Sequence, residues 1–202
     1  ARVLRPASIG AHLIDFDDAA AKKTKGYVGA VRKGNFLAIV AQTEWAAVKA
    51  QRLVKTQWSD WKGLPEKAKM YAVWRAQPVV KTEQRPSRGD VETGFAQARK
   101  RLKATYEFPI HSHASMGPSC AVAQTDGQRM DIWSPSQATH SLQSEVALML
   151  GIPATQVRLQ YVDGSGCYGR NGHEDCTADV ALIAQLLHEK GIHAPVRLQW
   201  SR

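Results

Sequence analysis

The chain has 202 residues, 44% of them hydrophobic, and a net charge of +9 from 27 Lys+Arg against 18 Asp+Glu. That length suits one large domain or two small ones, and the composition excludes a disordered chain. No run of about 18 apolar residues occurs, which excludes a membrane-spanning helix, and three cysteines are too few for a disulfide scaffold.

Residues 1–62 read as a small α/β unit. Asn35–Gln42 is a short apolar run of the kind that forms a buried strand. Thr43 is placed to cap a helix, with Glu44 in the first turn and Ala46, Ala50, Leu53 and Val54 on its inner face. Lys55–Trp61 then leads into a short strand. Residues 63–88, with Pro65, Pro78 and Pro86, read as a connector. A second helix is predicted from Asp90 as N-cap, with Val91, Phe95, Ala98 and Leu102 on one face. Strands follow at 104–109, 119–124 and 129–134, the last two joined by a tight Asp126-Gly127 turn. A helix from Gln137 to Leu150 turns Leu142, Val146, Met149 and Leu150 to the core, and Gly151 and Pro153 stop it. A strand at 156–162 and a glycine-rich loop at 163–173 lead to a helix at 174–190, with Val180, Ile183, Ala184 and Leu187 on one side. A strand at 195–200 follows. The fold class is therefore α+β, a mixed α/β arrangement. The strand-like stretch Val196–Arg202 is an odd place to stop, so a fragment is expected.

Positive charge concentrates in the middle, where residues 45–104 carry 14 Lys/Arg and 5 Asp/Glu. With Trp58, Trp61, Tyr71 and Trp74 nearby, that segment has the raw materials of a nucleic-acid surface. Lys62, Lys67 and Lys69 are strung along a Pro/Gly-bounded loop with no recognition helix, however. A solvated linker or a face for a partner subunit is the reading preferred, with no nucleic acid.

Gly164-Ser165-Gly166-Cys167-Tyr168-Gly169 is a literal G-x-G-x-x-G between a strand and a helix, with Glu189 downstream where a dinucleotide-binding fold has its ribose-binding acid. Three features oppose that fold. The preceding strand alternates as if half exposed, Asn171-Gly172 delays the helix, and a hairpin stands upstream where a βαβ series belongs. What remains is a backbone able to approach a ligand closely and aim its N–H groups at it, or a tight turn without a ligand. Cys167, His173 and Cys176 are near in sequence but lack a fourth metal ligand. His111 and His113 would face one side only if they lay on a strand. Ser134, His140 and Asp163 supply the residue types of a hydrolytic triad without a nucleophile elbow.

Two segments, "HSHASMGPSCAVAQTDGQRMDIWSPSQATHSLQSEVALMLGI" (111–152) and "VRLQYVDGSGCYGRNGHEDCTADVALIA" (157–184), together resemble the molybdenum-binding subunit of the xanthine dehydrogenase/aldehyde oxidase family. The nearest likeness is to the bacterial isoquinoline 1-oxidoreductase and nicotinate dehydrogenase branch. "FLAIVAQTEWAAVKAQRLVKTQW" resembles that family's α/β hammerhead module. The resemblance implies a hammerhead-like module over 1–62, a basic linker and helix over 63–103, and the first part of a molybdopterin-binding domain over 104–202. Gln137 matches the glutamine that approaches the metal's oxo ligand. Gly164, Ser165, Gly166, Cys167, Tyr168 and Gly169 match the cofactor loop, and Arg170 the basic residue after it. Many members have three glycines and then phenylalanine. Here Ser165 interrupts the glycines, and either Cys167 or Tyr168 aligns with that phenylalanine. Gly117-Pro118 stands where many relatives have Glu-Pro.

The resemblance further implies molybdenum–molybdopterin as cofactor, in its cytosine dinucleotide form. The intact enzyme would hydroxylate N-heteroaromatic compounds or aldehydes with water as oxygen source. Electrons would leave through a small iron–sulfur subunit, with a cytochrome c as a further partner. The family's glutamate base matches no carboxylate here, so no catalytic or metal-ligating residue is assigned and the chain alone is expected to be inactive. Export of folded relatives implies the periplasm, with the cytoplasm as the alternative.

Overall fold

The computed structural model describes residues 1–169 and 175–201. They divide into two units, Ala1–Lys62 together with the residues from His113 onward, and Gly63–Ser112.

The N-terminal part of the first unit contains β1 (Arg2–Leu4), β2 (Leu13–Asp17), β3 (Tyr27–Lys33), β4 (Phe36–Ala41), α1 (Glu44–Leu53) and β5 (Lys55–Trp58). β4 is the strand expected at 35–42. It is the middle strand of an antiparallel sheet ordered β1-β4-β3, which explains the burial of Leu37, Ala38, Ile39 and Val40. β2 and β5 form a separate antiparallel pair. The sequence reading missed β1, β2 and β3, which are short or half-buried and carry little apolar contrast. Thr43 caps α1 as expected, its hydroxyl accepting from the Ala46 N–H at 3.2 Å. The inner face of α1 is Ala46, Ala47 and Ala50, whereas Leu53, expected inside, is 46% exposed.

The second unit contains α2 (Met70–Arg75), α3 (Val91–Gln97) and irregular backbone. α2 lies where only a connector was expected; the Tyr71 and Trp74 rings meet edge to face at 5.7 Å. Asp90 caps α3 by accepting from the N–H groups of Glu92 and Thr93. The predicted face fails, because the helix ends before Ala98 and Leu102 is 96% exposed. Gly94 weakens the helix interior, and an extension would set Arg99 and Lys103 as a like-charge pair four residues apart. The strand predicted at 104–109 is also absent, with Tyr106 and Phe108 exposed. Alternation in sequence supplies a face but not a partner strand.

The rest of the first unit contains β6 (Cys120–Thr125), β7 (Met130–Ser134), α4 (Thr139–Leu150), β8 (Val157–Tyr161), α5 (Asp175–Glu189) and β9 (Val196–Gln199). All four strands match predicted ones within a residue or two and form one mixed sheet ordered β8-β7-β6-β9. β6 runs antiparallel to β7 and β9, while β7 and β8 are parallel, Met130 pairing with Val157 and Ser134 with Tyr161. That parallel pair needs a crossover, and α4 supplies it. α4 starts two residues later than predicted. It buries Leu142, Val146, Ala147 and Leu150, leaves Met149 38% exposed, and ends at Gly151 in the left-handed conformation (φ 72°).

α5 is apolar around most of its circumference. Cys176, Val180, Ala181 and Ile183 are inaccessible, and Leu182, Ala184 and Leu187 are buried, a wider surface than the single face predicted. A helix buried all round needs cover on more than one side. Val31, Ala38 and Val40 of the three-stranded sheet share its core with Ala121, Ile132, Val196 and Leu198 of the four-stranded one. At the surface, Glu44 ties three elements together, its carboxylate meeting Arg2 at 2.7 Å and Arg197 at 2.8 Å. Glu44 is half exposed in both pairs and Arg197 in one, and pairs open to solvent contribute at most about 1 kcal/mol each, so the shared core dominates.

Truncating Ile183 to Ala should therefore destabilise the first unit by about 2–5 kcal/mol, read as a lower midpoint in urea. A smaller effect is expected for pH. Burial pushes the Asp18 carboxyl up, but hydrogen bonds from Lys22 and Tyr27 outweigh it and hold it below its ordinary value of 3.8. Its stabilisation is present above that ordinary value and lost as pH falls through the lower folded value. Asp18→Asn should flatten the acid limb of a stability–pH curve and leave its neutral slope unchanged.

Candidate functional site

Parallel strands carry their C-terminal loops to the same end of the sheet. β7 therefore delivers Pro135–Ala138, and β8 delivers Val162–Gly169, side by side. β6 runs the other way, so the residues that precede it, including Gly117 and Ser119, reach that same end. β9 ends there too, with Gln199 opposite Cys120 and the Trp200 N–H donating to the Ser119 carbonyl at 3.0 Å. The crevice outside the carboxyl ends of parallel strands is the usual ligand position in such sheets.

Contacts between these loops are specific. The Cys167 thiol donates to Gln137 Oε1 at 3.2 Å, across 30 residues of sequence. The Ser165 hydroxyl donates to the Gly117 carbonyl at 2.8 Å. A methyl at Gly117 would stand 2.1 Å from Ser165 Cβ, and one at Gly164 would stand 2.6 Å from Pro135 Cβ. Neither position has room for a side chain. Gly166 (φ 112°) is in a region closed to most L-residues, and Tyr168 (φ 54°) accepts a left-handed conformation without being glycine. Below the loops, the Ser134 and Thr177 hydroxyls share a buried hydrogen bond of 2.6 Å, fastening the end of β7 to α5.

Of the predicted site residues, Gln137 lies exposed just before α4. Gly164, Ser165, Gly166, Cys167, Tyr168 and Gly169 run along the crevice loop, with Cys167 half-buried. Gln137 and Cys167 are brought together. A methyl at Gly169 would reach the His113 ring at 3.4 Å, so that histidine borders the loop. Arg170 and His173 lie outside the described residues. Cys176 faces the core, its thiol donating to the Leu198 carbonyl at 3.7 Å, so Cys167 and Cys176 point to different environments. No group of three or more His, Cys, Asp or Glu suited to a metal occurs among the described residues. His111 and His113 lie in irregular backbone, not on a strand. The Ser134–His140–Asp163 triad does not form: Ser134 is buried against Thr177, and Asp163 accepts from Tyr161 at 3.1 Å. That bond, reinforced by the carboxylate charge, raises the Tyr161 phenol above its ordinary value.

Sequence reasoning missed Pro135, the place of His113 beside the glycine loop, and the Gly117–Ser165 pairing. Only Gly117-Pro118 gave any signal, as a departure from Glu-Pro. A neutral carboxamide, Gln137, stands here beside the glycine-rich backbone, while the Ser165 hydroxyl is taken by the Gly117 carbonyl. Such a set can hold an oxygen-rich group by hydrogen bonds without a titrating residue.

The comparisons converge on one family. Residues 75–202 match the molybdopterin cofactor-binding domain family. The chain is 31% identical over 210 residues to a subunit of the nicotinate dehydrogenase of Pseudomonas putida, covering 100% of the chain and 17% of that protein. It therefore spans about a sixth of that relative's length. In structure it is similar to quinoline 2-oxidoreductase from Pseudomonas putida 86, with TM-score 0.67, 17% identity, and coverage of 100% of this chain and 30% of the other. It is also similar to the aldehyde oxidoreductase of Desulfovibrio gigas, with TM-score 0.70, 17% identity, and coverage of 95% and 25% respectively. At such identities the likeness is one of fold.

Gly164→Ala and Gly117→Ala should each cost about 1–3 kcal/mol, the range for overpacking a filled site, read as lowered thermal midpoints. A Gly89→Ala control meets no atom but carries a positive φ, so Gly29→Ala, which is open and unstrained, is the proper comparison and should change little.

Proposed function

The chain belongs to the family of molybdopterin cofactor-binding domains of the xanthine dehydrogenase/aldehyde oxidase group, and on that premise we propose that it forms one wall of a molybdenum hydroxylase site. The observation that carries this reading is the meeting of Gln137 with Cys167 of the glycine loop at 3.2 Å, at the carboxyl ends of β7 and β8. The donor chemistry fits the cofactor, since neutral N–H groups suit oxo and phosphate oxygens and stay protonated at any working pH.

When bound, the molybdenum–pterin group supplies two-electron oxidation of a substrate carbon with water as the oxygen source. The chain's own residues bind and orient. Gln137 Nε2 would donate to the cofactor from a group that does not titrate. The backbone of Gly164–Gly169 would help hold it, itself kept in place by Ser165 on Gly117 and by Pro135 beside Gly164. No carboxylate of the chain is assigned as the base, and in this reading the isolated chain does not turn over.

The finer assignments belong to the same proposal. The cofactor is the cytosine dinucleotide form, and the substrate is an N-heteroaromatic compound or an aldehyde. The names of the nicotinate, quinoline and aldehyde enzymes support that range. Electrons pass to a small iron–sulfur subunit and onward to a cytochrome c, in the periplasm. The nicotinate dehydrogenase relative is one subunit of its enzyme, which supports an assembly of several chains.

The test is expression of the subunit in its native complex, followed by metal and pterin analysis. Molybdenum and pterin should co-purify in equal amounts. Gln137→Leu should keep both yet lower kcat by about 10²-fold, the usual loss for one preorganised donor. A wild-type complex devoid of molybdenum and pterin would overturn the reading.

A further inference from the structure

We propose that Cys167 is a positioning residue that fixes which end of the Gln137 carboxamide faces the cofactor, an inference that rests on the function proposed above. A glutamine side chain ends in two groups of opposite character, a carbonyl oxygen that only accepts and an NH2 that only donates. Rotation by half a turn exchanges them with almost no change of shape. A glutamine held by nothing would therefore present either end to a bound group. An oxygen-rich group attracts the NH2 and repels the carbonyl, so up to half of such an ensemble would be wrongly turned before that group binds.

Cys167 breaks that symmetry. Its thiol stands 3.2 Å from Gln137 Oε1 as a donor. A thiol is a weak donor and a weak acceptor, and here it donates, so a reversed amide would require the S–H to turn away and leave an N–H···S contact in its place. Among the described residues the Gln137 side chain has no other hydrogen bond, which leaves Nε2 unengaged. The thiol is itself held in place by its backbone. Cys167 lies between Gly166 at φ 112°, open to glycine, and Tyr168 at φ 54°, a left-handed turn rare for a non-glycine residue. Two residues earlier, the Ser165 hydroxyl is tied to the Gly117 carbonyl at 2.8 Å. The loop thus aims a donor at Gln137 from a half-buried position, and the amide answers with its oxygen.

The S–H stretching band reads the contact directly, in a spectral window free of other protein absorption. Infrared spectra of the native complex identify the Cys167 band as the one lost in Cys167→Ala. Donation to an oxygen lowers its frequency, so in Gln137→Leu the band should move up to the position of an unbonded thiol. In steady-state kinetics, Cys167→Ala should lower kcat by up to about twofold, since about half of a freely turning amide still presents its NH2, with molybdenum content unchanged. Cys167→Ser restores a donor and should recover most of that loss, which a role in packing alone would not explain. A band that stays fixed in Gln137→Leu overturns the proposal, as does an undiminished kcat in Cys167→Ala. In both cases molybdenum is still bound, so the cofactor reading stands. A complex without molybdenum removes that reading and this inference together.

Discussion

The parallel pairing of β7 with β8 is the constraint from which the rest of the site follows. An antiparallel partner would send the glycine loop to the opposite end of the sheet from Gln137. The parallel register, Met130 with Val157 through Ser134 with Tyr161, obliges both loops to leave at one end. It also demands the α4 crossover, and the two antiparallel neighbours of β6 bring Gly117 and Trp200 to the same end. Beneath them α5 supports the sheet from within the core, and the Ser134–Thr177 bond transmits that support to the last residue of β7.

A glycine loop is ordinarily flexible, and a flexible loop is a poor template for a ligand. Here the glycines serve close packing as much as freedom. Gly164 sits where Pro135 leaves no space for a side chain, and Gly117 where Ser165 leaves none. The loop is thereby crowded into place from two sides by its neighbours. Rigid donors bind and orient without the reorganisation that a mobile loop would require. The Gln137 carboxamide adds a donor that does not titrate.

Local signals in the sequence were legible and long-range ones were not. The Thr43 and Asp90 caps, the Asp126-Gly127 turn and the Gly151 stop each depend on a few adjacent residues and are found where expected. The apolar period of α5 was visible, but not its burial on several sides, because the covering residues Val31, Ala38 and Val40 lie far upstream in the chain. Alternation at 104–109 was read as a strand that has no partner to pair with. Residues 164–169 stood out by their glycine spacing, but Gln137, and the tie of both to one cofactor, were reached through family resemblance. Their meeting depends on strand order, and so do the Gly117–Ser165 and Gly164–Pro135 contacts, for which the sequence carries no local mark.

Hydrogen–deuterium exchange on the cofactor-loaded and cofactor-free forms of the native complex tests the central claim most directly. If one end of the β8-β7-β6-β9 sheet is the cofactor wall, loading should slow exchange at residues 135–138 and 162–169 together. Protection of one loop without the other, or of neither, would contradict the account.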